Sequence, residues 1–121
     1  MPFKDVLGII VQSVRGGVGA ILVDDEGEAV DVFTHGDSYE IRLAGAHHGI
    51  ILALLDEAMK RTNNNGDRLK GLSIKAERLT YTIMPVQEEG LFVVLVQDET
   101  GIPSQGMKVL QDSVGDIAAL I

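Results

Sequence analysis

The chain has 121 residues, 10 Lys plus Arg against 18 Asp plus Glu, no Cys, no Trp and 14 Gly, with 45% hydrophobic residues. That is the size of one domain, able to remove roughly two thirds of its unfolded surface from water without disulfides or a structural metal. The net charge of −8 argues against nonspecific binding to DNA or to an anionic membrane, and the lack of Cys excludes thiolate catalysis, zinc–thiolate sites and iron–sulfur clusters. The early apolar run Val6 to Val11 is too short for a signal peptide or a membrane span, so a cytoplasmic protein is expected.

Phe3, Leu7, Ile10 and Val14 recur at helical spacing, which predicts a first helix over residues 3–14, ended by Gly16 and Gly17. Val18 to Val23 is uniformly apolar, with β-branched Val18, Ile21 and Val23, as in a strand covered on both faces. Asp25-Glu26-Gly27 turns it into a second strand, Ala29 to Phe33. Asp37 and Glu40 have capping-box spacing at the start of a long helix over residues 38–62, which ends at Asn63-Asn64-Asn65-Gly66. Leu72, Ile74 and Ala76 alternate in a third strand, and Leu79, Tyr81 and Ile83 in a fourth. Glu88-Glu89-Gly90 turns the chain into a fifth, Leu91 to Val96, again apolar throughout. Pro103 and Ser104 open a last helix with Met107, Leu110, Val114, Ile117 and Leu120 on one stripe.

The two strands without a polar face, the first and the fifth, belong in the middle. Hairpin connections then give an antiparallel five-stranded sheet of order 2-1-5-4-3. The expected fold is α/β (α+β): a three-layer α/β/α sandwich, the long helix on one face and the two shorter helices on the other.

Projected at 100° per residue, the long helix places Ile41, Ala44, Gly45, His48, Ile51, Leu52, Leu55 and Met59 on a broad face for the sheet. Leu43, Ala46, Ile50, Ala53 and Leu54 then point away. Leaving Leu43, Ile50 and Leu54 wet forgoes about 1.5 to 3 kcal/mol of burial each. The most economical cover is the same helix of a second copy about a two-fold axis, which predicts a homodimer; a loop or the chain termini lying over this face is the alternative. Residues 60–78 carry Lys60, Arg61, Arg68, Lys70, Lys75 and Arg78 against Asp67 and Glu77. This local net of +4 leaves −12 on the rest. It reads equally as an edge guarded by lysines and as an acceptor for an acidic partner.

Chemical motifs are sparse. Arg15-Gly16-Gly17-Val18-Gly19 joins a helix C-terminus to a strand, the reverse of a phosphate loop, and lacks the Gly-Lys-Ser/Thr ending. His47 and His48 project about 100° apart and, even with His35, lack a matching carboxylate, so no metal is expected. His48 is read as a hydrogen-bonded residue at the helix interface. Asp24, Asp25, Glu26 and Glu28 form an acidic hairpin tip without calcium-loop spacing, and Ser13, Ser38, Ser73, Ser104 and Ser113 lack a nucleophile elbow. No enzyme, cofactor or nucleic-acid function is expected.

The organisation resembles the Roadblock/dynein light chain family. The resemblance rests on the short first helix, Gly17-Val18-Gly19-Ala20-Ile21-Leu22-Val23-Asp24 with its turn Asp25-Glu26-Gly27-Glu28, the long central helix, Glu89-Gly90-Leu91-Phe92-Val93-Val94-Leu95-Val96 and the closing helix. It implies one Roadblock-like domain over 1–121 and homodimers, or family heterodimers, formed through the central helix and third strand so that two sheets merge. Carried onto this chain, the interface is Leu43, Ala46, His47, Ile50, Ala53 and Leu54 on the helix with Leu72, Ile74 and Ala76 on the strand. It also implies a Ras-like small GTPase as partner, or a scaffold or motor light-chain role. Bacterial members similar to the gliding-motility regulator remodel the switch regions of their GTPase and supply no arginine finger. On that pattern Arg15, Arg42, Arg61, Arg68 and Arg78 need not be catalytic. A small-molecule sensor domain of related fold, with its ligand between sheet and helix, is the rival reading.

Overall fold

The computed structural model describes residues 2–36, 38–62, 69–86 and 90–121, with the side chains of residues 2, 38, 39, 43, 46 and 49 outside the description. Eight elements follow in the expected order: α1 (Pro2–Gln12), β1 (Gly17–Asp24), β2 (Ala29–Thr34), α2 (Ser38–Thr62), β3 (Leu72–Lys75), β4 (Thr80–Pro85), β5 (Leu91–Gln97) and α3 (Pro103–Ala119). The capping-box residue Asp37, the Asn63–Gly66 stop and the turn residues Glu88 and Glu89 lie outside the described residues. Among the described residues, no helix is long and apolar enough to cross a membrane.

The strands form one antiparallel sheet in the order β2-β1-β5-β4-β3. Alternation explains why β1 and β5 lack a polar face. Ala20 and Leu22 of β1, with Val93 and Leu95 of β5, enter a core closed by Leu7, Ile10 and Val11 of α1 and Leu110 and Ile117 of α3. Ile21 and Val23, with Phe92, Val94 and Val96, enter a second core closed by Ile41 and Leu52 of α2. Successive side chains on a central strand thus alternate between two dry layers, and each layer needs apolar residues.

Two glycines set close approaches. A Cβ on Gly45 would lie 2.6 Å from Ile21 Cγ2 and 3.0 Å from Val23 Cγ1, so the missing side chain lets α2 rest directly on β1. Gly16 turns the chain from α1 into β1 at φ +73°, and a Cβ there would meet Asp98 Oδ1 at 2.5 Å and Gly101 N at 2.7 Å. The glycine run therefore serves a helix exit packed against the β5–α3 loop. That loop is held by Gln97, whose fully buried Nε2 donates to Arg15 O (3.0 Å) and Ile102 O (3.3 Å), while Arg15 N donates to Gln105 Oε1 (2.8 Å).

Candidate functional site

The α2 layer is one helix over a sheet that two helices cover on its other side. At about 1.5 Å per residue its 25 residues run about 37 Å, longer than the roughly 26 Å of the eight-residue β1. Ile41, Gly45 and Leu52 are buried beneath it. Ile51 and Leu55, expected on the sheet face, are instead 38% and 41% exposed. The helical projection treats the sheet as an unlimited plane. Ile51 lies about 100° from the line of Ile41, Gly45 and Leu52, and Leu55 falls in the half of the helix where burial thins out.

Of the residues expected to face away, Ile50 is 39% and Leu54 66% exposed; His47, which the resemblance assigns to the interface, is also exposed. Ala53 is half-buried and packs against the α2-side core, so it lies nearer the sheet than the projection puts it. The side chains of Leu43 and Ala46 are outside the described residues. Ile50, Ile51, Leu54 and Leu55 are consecutive one-and-four neighbours and make one apolar stripe. Sequence reasoning found half of it. The signal for the rest was the total of apolar residues on the helix, which exceeds what one sheet face can hold.

The edge strand β3 turns Leu72 and Ile74 to the α2 side of the sheet. Leu72 and Ile74 are half-buried against the α2-side core, while Ala76 follows the strand and is exposed. The bond from Ala76 N to Leu79 O (2.8 Å) fixes the hydrogen-bonding alternation with β4. Ile74 and Leu72 therefore bond inward to Tyr81 and Ile83, and the backbone of Ser73 and Lys75 faces out from the open edge.

Between the N-terminal half of α2 and the β3–β4 turn runs an open groove of about 470 Å³, lined by Ile41, Ala44, His48, Leu79 and Tyr81 with Glu40 and Arg78 among its charged residues. The His48 ring stacks on Tyr81 (centroids 4.2 Å, 19° between planes), and its Nδ1–H donates to Ala44 O at 2.7 Å. This hydrogen-bonded role at the helix–sheet seam is the one expected for His48. His35 instead meets the Phe33 ring edge-on at 5.3 Å, and among the described residues no group of three His, Asp or Glu side chains could hold a metal ion.

Of the basic block, Lys60 pairs with Asp56 (3.7 Å) and Arg61 with Glu57 (3.6 Å) along α2, while Lys70, Lys75 and Arg78 are exposed. Arg68 lies outside the described residues. Among the described residues the arrangement offers an apolar stripe on α2, a sheet edge at β3 and the exposed cations Lys70, Lys75 and Arg78.

No protein-family model and no curated protein matches the sequence. Solved structures do match by shape. A Roadblock/LC7 domain from Streptomyces avermitilis superimposes with a TM-score of 0.83 at 13% identity, over 97% of this chain and 95% of the other. MglC from Myxococcus xanthus gives 0.71 at 23% identity over the whole of both chains. The gliding protein MglB from Thermus thermophilus gives 0.80 at 17% identity, over 96% of this chain and 85% of that one. These likenesses establish an architecture, and the chain has the fold of the Roadblock/LC7 domain, the one its sequence resembles.

Proposed function

We infer that the protein is a non-catalytic, cytoplasmic, homodimeric interaction module that binds and regulates a Ras-like small GTPase. The observations carrying this reading are the exposed stripe Ile50, Ile51, Leu54 and Leu55 on α2 and the position of β3 at the edge of the sheet. Covering what these four side chains still expose is worth roughly 3 to 5 kcal/mol per protomer. Two stripes together are comparable to the roughly 4 to 15 kcal/mol that association costs, so helix contact alone leaves little surplus. Strand pairing through Ser73 and Lys75, with Leu72, Ile74 and Ala76 beside the seam, supplies the rest and merges two sheets. On the helix, Ile50, Ile51, Leu54 and Leu55 belong to this interface, with Leu43, Ala46, His47 and Ala53 beside them.

The dimer then presents its remaining surface to the GTPase and acts by population shift, binding the hydrolysis-competent switch conformation more tightly than the other. The solved Roadblock/LC7, MglC and MglB structures support the reading through shared architecture. Light scattering at micromolar concentration should give twice the monomer mass, falling to one mass for Leu54→Asp. Turnover of GTP by Ras-like proteins of the same genome should change when the protein is added. A monomer, or a dimer that neither binds nor alters any of them, overturns the dimer or the regulatory role respectively.

A second reading has its own observation. The groove floored by the His48–Tyr81 stack lies between helix and sheet, where a sensor domain would hold a small ligand. A rise in melting temperature with metabolites, and none with GTPases, would favour it.

A further inference from the structure

The sheet has two edges, and they are built differently. Among the described residues, no strand pairs with the outward backbone of Ser73 and Lys75 at the β3 edge. At the β2 edge, His35 N donates to Val18 O (3.0 Å), which fixes the alternation: Phe33 and Asp31 bond inward to β1, and the N–H of Val32 points away from the sheet. That N–H does not go unpartnered. The side chain of the preceding residue curls onto it, and Val32 N donates to Asp31 Oδ1 at 2.9 Å. The register also slips between Leu22 and Val23, so that Val23 faces Ala29 and the strand carries a bulge beside the same residue.

Asp31 is costly where it stands. It is only 8% exposed, and its Oδ2 is buried with no hydrogen-bond partner among the described residues. A half-satisfied buried carboxylate normally lowers stability, and an apolar residue of similar size would fit a strand better. An inward-pointing charge and a bulge on an edge strand are, however, the means by which sheets refuse a further strand.

We propose that Asp31 is an edge guard: its carboxylate occupies the Val32 N–H that an incoming strand would need, and closes the β2 edge to a second copy of this chain. The sheet can then grow only from β3. Pairing there about a two-fold axis leaves a β2 edge at each end, so sheet-to-sheet assembly stops at two. The guard concerns β2 alone and holds whether or not the β3 dimer proposed above forms.

The test uses the full chain with Asp31→Val, and Asp31→Thr as a second variant, each with and without Ser73→Pro, which removes an outward N–H from β3. Expected is a folded protein by circular dichroism, melting no lower than the parent, whose mass by light scattering is at least double that of the parent at equal concentration. That increase persists in the Ser73→Pro background. Ser73→Pro alone reports on the β3 dimer, so failure of either idea is seen separately. Folded variants of unchanged mass overturn the guard. So do variants that both fail to fold or melt lower without associating, since Asp31 then serves stability rather than exclusion.

Discussion

The two faces of the sheet spend their apolar residues differently. On the α1/α3 face two helices meet over the strands, and Leu7, Ile10, Leu110 and Ile117 are completely buried. On the α2 face a single longer helix contributes Ile41, Gly45 and Leu52 to the inside and leaves Ile50, Ile51, Leu54 and Leu55 outside. The same strands feed both layers. What differs is the number of helices available, and the lesson is that one helix cannot finish a five-stranded face.

The difference can be broken hardest from the finished side. Leu110→Ala empties a site with no exposure and should cost about 4 kcal/mol in urea denaturation, whereas Leu54→Ala, measured at dilution where copies do not meet, should change stability by less than about 0.5 kcal/mol. Equal losses would mean that Leu54 is covered within its own chain. Gly45→Val attacks the α2 seam itself. With the space for a Cβ already taken by Ile21 and Val23, it should lift the helix from β1 and cost about 2 to 3 kcal/mol, and amide exchange should loosen in α2 before it loosens in α1.

Gln97→Leu tests the loop junction behind β5. It strips Arg15 O and Ile102 O of their donor and should cost about 1 to 2 kcal/mol, with the α2 face unaffected. The smallest effect belongs to Asp98. The Thr100 hydroxyl, bonded to Asp98 Oδ1 at 2.6 Å, and then the Thr100 backbone N–H hold its carboxyl below the ordinary 3.8. A lowered folded value means that the contribution is present above that ordinary value and fades as pH falls through the folded one. Thr100→Ala should move the Asp98 titration, followed by NMR, back upward with little change in stability at neutral pH.

The architecture was readable from pattern. Uniformly apolar strands at 18–23 and 91–96 can only be central, hairpin connections order the rest, and the α2 bounds fall at Ser38 and Thr62 as expected. The candidate surface was half readable. Periodicity picks out Ile50 and Leu54 but assigns Ile51 and Leu55 to the sheet, because an angular projection carries no information on where a sheet ends. Asp31 gave no signal at all: an acidic residue in a short strand reads as its solvent side, and only the register with Leu22 and the bond to Val32 N place it at a closed edge.

Helices α1 and α3 share one layer and touch each other. The start of α1 and the end of α3 therefore both hang from the side of the sheet opposite α2. A fluorophore, tether or capture tag joined at either place would ride on the finished side. Immobilised that way on a sensor chip, the molecule would hold its greasy helix toward the solution, free to receive whatever flows past.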